Sequence, residues 1–221
     1  SNQGDYSKAL VCFEGALKIF LLLNGDNHPA VATSYSYIGQ IYFAQNDYSK
    51  ALDYFKKSLK LDLSFFGENH PSVASGYYNI GYVYFAQGDY SKALEYFEEV
   101  LKIRLSVYGE NHSQVSSIYD HIGEVYFAQK DYSKALYYFE ESLKIRLSLF
   151  GENHPEVALS YYSIGSLYII QGDKSKALNY YEKSLKIRLS VYGENHPLTK
   201  EIMDLINVAN SKVLQSPETT K

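Results

Sequence analysis

Five histidines recur at one fixed spacing. His28, His70, His112, His154 and His196 each stand 42 residues after the one before. Imidazole is a common metal ligand, so a zinc reading has to be tested first. Zinc needs its nitrogens at about 2.0–2.1 Å from one ion, whereas packed helices lie roughly 10 Å apart. Histidines spaced one per helical repeat cannot converge on one ion. A turn histidine that hydrogen-bonds a helix end is the reading that fits, and neither a metal nor a cofactor is expected. The sixth histidine, His121, is different, because Asp120 and Glu124 flank it. Asp120 and Glu124 share one helix face at i,i+4. That trio could do acid–base chemistry, but no serine or cysteine nucleophile lies in a pocket-forming context. His121 therefore reads as a recognition residue with possible pH sensitivity, and the chain as non-enzymatic.

The spacing of the histidines belongs to the whole sequence. Gly25, Gly67, Gly109, Gly151 and Gly193 keep the same step, three residues ahead of each histidine. A fixed period of this size marks a solenoid, in which each unit covers the apolar face of the next. In one repeat, Pro71 opens a helix, and Val73, Ala74, Tyr77, Ile80, Gly81 and Tyr84 follow at helical spacing. Gln87-Gly88-Asp89 ends that helix and caps the next, which carries Ala93, Leu94, Phe97, Leu101 and Leu105. Each repeat is thus an antiparallel helix pair. The sequence predicts ten helices, near residues 5–23, 29–45, 48–66, 71–87, 90–108, 113–129, 132–150, 155–171, 174–192 and 197–214. They form one array: a half repeat at 3–24, full repeats at 29–66, 71–108, 113–150 and 155–192, and a capping helix at 197–214. Residues 216–221 are expected to fray.

Small residues hold one phase. Gly39, Gly81, Gly123 and Gly165 sit in the first helices, and Ala51, Ala93, Ala135 and Ala177 in the second. A glycine inside a helix costs about 1 kcal/mol against alanine, so a close approach of two helix backbones is expected there. Tyr35, Tyr42, Phe55 and their copies should fill the space around it as core, which accounts for much of the count of 24 tyrosines. Cys12 falls in the apolar phase of the first helix and is expected to be buried. The pairs in Lys102-Ile103-Arg104, Lys144-Ile145-Arg146 and Lys186-Ile187-Arg188 suit the negative ends of their helices and could meet an anionic surface on the convex side.

Composition excludes several classes. The net charge of −4 lacks the basic footprint of a nucleic-acid binder. No apolar run reaches the ~20 residues of a membrane span. A single cysteine excludes an intramolecular disulfide and fits a reducing, cytoplasmic setting. The chain opens at Gln3-Gly4-Asp5-Tyr6, which aligns with Gln87-Gly88-Asp89-Tyr90, so it reads as a fragment beginning inside a repeat.

The run Tyr35-x2-Ile38-Gly39-x2-Tyr42, then Ala51-x3-Phe55, recurs through Tyr77, Ile80, Gly81, Tyr84, Ala93 and Phe97 and again in the later repeats. It resembles the tetratricopeptide repeat pattern, whose usual period is about 34 residues. The longer 42-residue form with its Gly-x-x-His-Pro turn is similar to the repeats of kinesin light chains. The resemblance implies a right-handed α-solenoid whose concave face, lined by first helices, binds peptides or partner proteins. Carried over residue by residue, the groove positions include Tyr37 and Gln40 in the first full repeat and Tyr78, Asn79 and Tyr82 in the second. The third supplies Asp120, His121 and Glu124, and the fourth Tyr162 and Ser166. These vary between copies while the frame is constant. Chaperone-binding relatives clamp a carboxylate with Lys, Arg and Asn, and here only Asn79 matches. Kinesin light chains tend to pair asparagines at these positions, and again only Asn79 agrees. What remains is an aromatic groove with an acidic centre at Asp120 and Glu124, suited to a peptide carrying an aliphatic anchor and a Lys or Arg. The leading expectation is a protein-interaction scaffold. The alternatives are a ligand- or peptide-sensing regulatory domain of a larger protein, and a structural array whose ends stack on copies of themselves.

Overall fold

The computed structural model describes residues 2–211, the side chains from Tyr6 onward, and contains ten α-helices and no strand among them. They are α1 (Asn2–Asn24), α2 (Pro29–Ala44), α3 (Tyr48–Phe66), α4 (Pro71–Ala86), α5 (Tyr90–Tyr108), α6 (Ser113–Ala128), α7 (Tyr132–Phe150), α8 (Pro155–Gln171), α9 (Lys174–Tyr192) and α10 (Pro197–Ser211). The tail at 216–221 lies outside the described residues. The chain divides into two compact units, residues 1–109 and 110–221.

The first helix of every pair starts the same way. His28, His70, His112 and His154 are N-caps: each imidazole Nδ1 accepts the backbone N–H two residues on, at 3.1–3.2 Å. His196 does the same for Leu198 at 3.3 Å. Proline at the first helical position of α2, α4 and α8 costs no hydrogen bond there. Rings at the end of the preceding helix hold several of the imidazoles flat, with Phe66 4.1 Å from His70 and Phe150 4.3 Å from His154. The histidine period is therefore a capping period. The second helices use aspartate instead: Asp47, Asp89, Asp131 and Asp173 accept the backbone N–H three residues on. The lysine at that position returns to the same carboxylate at 2.6–3.4 Å.

In the first unit α2 pairs with α3, α4 packs on α3 and pairs with α5, and α1 packs on α2. Val31, Ile38, Phe55, Val73, Ile80 and Phe97 form its buried interior. In the second unit the pairs are α6 with α7 and α8 with α9, and α10 packs on α9. Its core includes Ala135, Phe139, Val157, Ile164, Leu167 and Ile187. A repeated aromatic trio ties the first and second helix of each pair. Tyr54 sits between Tyr35 and Tyr42, and Tyr96, Tyr138 and Tyr180 repeat the arrangement.

Three expectations of the sequence need correction. The glycine phase chiefly admits a ring, and at Gly165 a backbone atom, the Ala177 carbonyl oxygen, also lies 3.3 Å from the Cβ position. A Cβ on Gly39, Gly81, Gly123 or Gly165 would lie 2.7–2.9 Å from the ring of Phe55, Phe97, Phe139 or Tyr181, so the glycine makes room for an aromatic side chain. The tyrosines of the trios are mostly half-buried, with their rings packed against one another and not enclosed in the core. Cys12 is exposed. It occupies the register of Tyr54, whose ring is covered by the first helix of its own pair, and α1 has no such helix among the described residues.

Candidate functional site

In the first unit the candidate residues gather where α2, α3 and α4 meet. A cavity of about 360 Å³ opens there, and Tyr37, Gln40 and Asn79 line it together with Ser36 and Asp62. Tyr37 is 46% exposed and stacks on Phe13 of α1 at 4.9 Å. Gln40 is exposed. The Asn79 amide donates to the Ser36 hydroxyl at 3.4 Å, which ties α4 to α2 across the cavity. Tyr78 does not line the cavity. It packs against Phe97 at 5.7 Å and Tyr82 at 5.9 Å, with the Arg104 guanidinium 6.0 Å from its ring. Tyr82 is exposed and meets Phe43 and Phe85, so α2 and α4 share a surface aromatic cluster.

In the second unit the candidates are engaged internally. Asp120 is ion-paired with Arg146 at 2.7 Å. The same guanidinium reaches Glu156 at 3.0 Å and donates to the Ser160 hydroxyl at 2.7 Å. Burial pushes the Asp120 carboxyl above its ordinary range even though Arg146 opposes the shift. His121 and Glu124 contact each other, Nδ1 to Oε2 at 3.1 Å. Of the acidic centre expected at Asp120 and Glu124, Asp120 is engaged by a buried arginine, while Glu124 contacts His121 through one oxygen and is otherwise exposed. Tyr162 donates to Glu201 at 3.1 Å and lies under the Arg188 guanidinium at 4.9 Å. Ser166 accepts from Tyr181 and donates to the Tyr162 carbonyl.

The arginines also depart from expectation. Arg146 and Arg188 are 5% and 4% exposed, so they are interior partners of the first helices and not a convex-side basic surface. Their burial is tolerable because each is ion-paired and hydrogen-bonded.

Sequence reasoning missed Asp62. It stands in the register of Arg104, Arg146 and Arg188, one acidic residue where the three later copies are basic and α1 carries Phe20. It is 9% exposed, and among the described residues no hydrogen bond or ion pair reaches it. Burial raises its carboxyl from 3.8 to about 6, partly offset by His70. The signal was available in the alignment of the repeats: a reversal of charge at a position that is basic in the three later repeats. Among the described residues no three His, Cys, Asp or Glu side chains are placed to hold a metal ion, and no helix is long and apolar enough to cross a membrane.

The tetratricopeptide repeat profile matches residues 1–64, 61–106, 72–148 and 114–190, which is most of the chain. No curated protein matches it. Among solved structures it is similar to BtubC (BKLC) from P. vanneervenii, with a TM-score of 0.77 and 25% identity over 89% of this chain and 78% of that one. A Podosopora anserina protein described as a kinesin light chain with nearly identical TPR-like repeats gives 0.73 at 18% identity, over 86% of this chain and 90% of that one. The apo form of RapI gives 0.68 at 20% identity, over 83% and 64%. The last two likenesses concern the fold alone. Repeats of this kind generally serve as protein–protein interaction scaffolds and are typically non-enzymatic. The chain belongs to the tetratricopeptide repeat family, with all-α solenoid helix pairs of the kinesin light chain-like kind.

Proposed function

We propose that this chain binds a peptide segment of a partner protein on the face built from its first helices. The observation that supports this reading most is the cavity of about 360 Å³ between α2 and α4 in the first unit, lined by polar side chains and by the exposed Tyr37 ring. Concave, mixed polar and aromatic lining is what peptide recognition uses, because rings supply area at low entropic cost and amides orient the backbone. Tyr37, Gln40, Asn79, Tyr78 and Tyr82 are the contact residues in the first unit. In the second, His121, Glu124, Tyr162 and Ser166 present a polar surface, and Asp120 acts by holding Arg146. The test is selection of binding peptides from a displayed library on the 221-residue chain. Selected peptides should lose at least about tenfold in affinity for a Tyr37→Ala/Gln40→Arg/Tyr82→Ala variant that keeps its helical circular dichroism. Equal binding by parent and variant would place recognition elsewhere and end this reading.

A second reading, end-to-end self-association, has one observation in its favour. Val11 and Leu22 of α1 are 70% and 78% exposed on an apolar surface. One feature of α10 opposes it. Asn207 occupies the register of Gly39, Gly81, Gly123 and Gly165, so α10 cannot receive an aromatic ring as the first helices do. If self-association occurs it should weaken in Leu22→Lys. A sedimentation mass that is monomeric at all concentrations would dismiss it.

A further inference from the structure

The four repeats place the same positions around residue 62 and its copies, so they can be compared directly. Around Arg146 stand Asp120, Glu156 and Ser160, all bonded to its guanidinium. Eighty-four residues earlier those positions hold Asp62, Ser36, Ser72 and Gly76. Every one of the four is shorter than its counterpart, and all four line the cavity of about 360 Å³. The cavity is therefore the space that an arginine and its acidic partners fill in the other unit. Its charge is also reversed. The buried cation is missing, and a carboxylate, nine-tenths buried and without a hydrogen-bonding partner, takes the place of the arginine stem. Gly76 keeps the floor low, since a Cβ there would press on Leu59 at 3.0 Å.

A buried carboxylate facing an open cavity is costly unless a cation joins it. Resting on the reading that this face binds a peptide, we propose that the cavity receives a guanidinium side chain, an arginine of the bound partner, paired with Asp62. The incoming group restores in trans the arginine that the later repeats supply in cis. The groups around it suit that role. Asp62 offers two acceptor oxygens, and the Ser36 hydroxyl and the Gln40 and Asn79 amide carbonyls can take the remaining guanidinium protons. His70, at the cap of α4, is the ionisable group whose charge acts on Asp62, and the other polar side chains lining the cavity are neutral. The aromatic rim of Tyr37 can flank the planar group as it enters.

The test uses two blocked amino acids on the full chain: Nα-acetyl-arginine N-methylamide and its neutral isostere, the citrulline analogue. Binding is read from the side-chain amide signals of Gln40 and Asn79 by NMR titration. The arginine probe should bind at least about tenfold more tightly than the citrulline probe. Asp62→Asn should erase that preference. The triple variant Asp62→Arg/Ser36→Asp/Ser72→Glu rebuilds the filled site of the second unit and should bind neither probe. Equal binding of the two probes, no arginine binding at millimolar concentration, or an undiminished preference in Asp62→Asn would each overturn the proposal. None of these results would affect the peptide selection, which can succeed with peptides that carry no arginine.

Discussion

Replacing Asp62 by Asn should stabilise the protein at neutral pH and leave it nearly unchanged in acid. The Asp62 carboxyl is held at about 6 in the folded protein, against 3.8 for the free group, because it is buried without a cation. Its folded value lies above its unfolded value, so the folded state binds the extra proton between those two limits. Its contribution to stability is therefore complete below about pH 4 and is lost as pH rises through about 6. A displacement of about two units corresponds to at most about 3 kcal/mol, and because the carboxyl faces a cavity that water can enter, screening leaves about 1–2 kcal/mol of it. Asparagine has nearly the shape of the protonated acid and no charge to desolvate. Parent and Asp62→Asn should thus agree within about 0.5 kcal/mol at pH 4, and the variant should gain about 1–2 kcal/mol by pH 7.5. The exposed N-cap aspartates Asp47, Asp89 and Asp173 are shifted in the opposite direction, but both proteins share them and they cancel in the difference. Urea unfolding followed by far-ultraviolet circular dichroism at the two pH values measures the effect. Parallel stability curves for parent and variant would refute the argument, since they would mean that Asp62 finds a partner or water that neutralises the cost.

Other substitutions test the frame. Gly123→Ala puts a Cβ 2.7 Å from the Phe139 ring and should cost about 1–3 kcal/mol in urea unfolding, with partial recovery in Gly123→Ala/Phe139→Leu. Arg146→Leu leaves the half-buried Asp120 carboxylate without its arginine and should cost about 2–4 kcal/mol, whereas Arg146→Leu/Asp120→Asn should recover much of it. A loss confined to Arg146→Leu that the second change does not relieve would mean that packing of the arginine stem, and not charge, is what matters. Lys130 adopts φ 64 at the turn between α6 and α7, where Gly88 and Gly172 serve in two other repeats. Lys130→Gly should raise the thermal midpoint, reflecting a gain of up to about 1 kcal/mol, and no change would show that the lysine is unstrained there.

The helix pairs were legible because their determinants are local and written four times over. A proline after a histidine, an aspartate three residues before a lysine, and a glycine at the end of each second helix act within one or two helical turns. The turn histidines could be read as caps for the same reason, since a capping bond spans only two residues. What reached across helices was less legible. The glycines announced close packing, but periodicity cannot say whether a backbone or a ring arrives, and the structure shows the ring of Phe55 and its copies. The candidate groove positions varied between repeats, and that variation alone could not separate recognition from drift. Asp120 looked like a free acid because its partner lies 26 residues away on another helix.

The arginine register shows why this information was hidden, and also where it was kept. Read along the chain, Arg104, Arg146 and Arg188 are cations near helix ends, and the helix dipole is enough to explain them. Compared with the Arg146 copy, the column exchanges Arg for Asp at residue 62, and the positions that face it exchange Asp120 for Ser36 and Glu156 for Ser72; the two remaining copies of those positions hold Tyr78 and Tyr162, and Gln114 and Leu198. Random drift at one position would leave a mismatched neighbour, such as a buried carboxylate beside two more acids. Between the Arg146 copy and residue 62 the charges change together, and repulsion is avoided while a cavity opens. Coordinated change at three positions on three helices is expected where a site has been emptied of its internal cation without being filled by apolar side chains. Had the column merely lost its function, a leucine or methionine packed at residue 62 would have been the more stable occupant. A carboxylate that stays buried and unpaired against that gradient implies a use outside the free chain, and a cationic side chain is the group whose arrival would remove its cost.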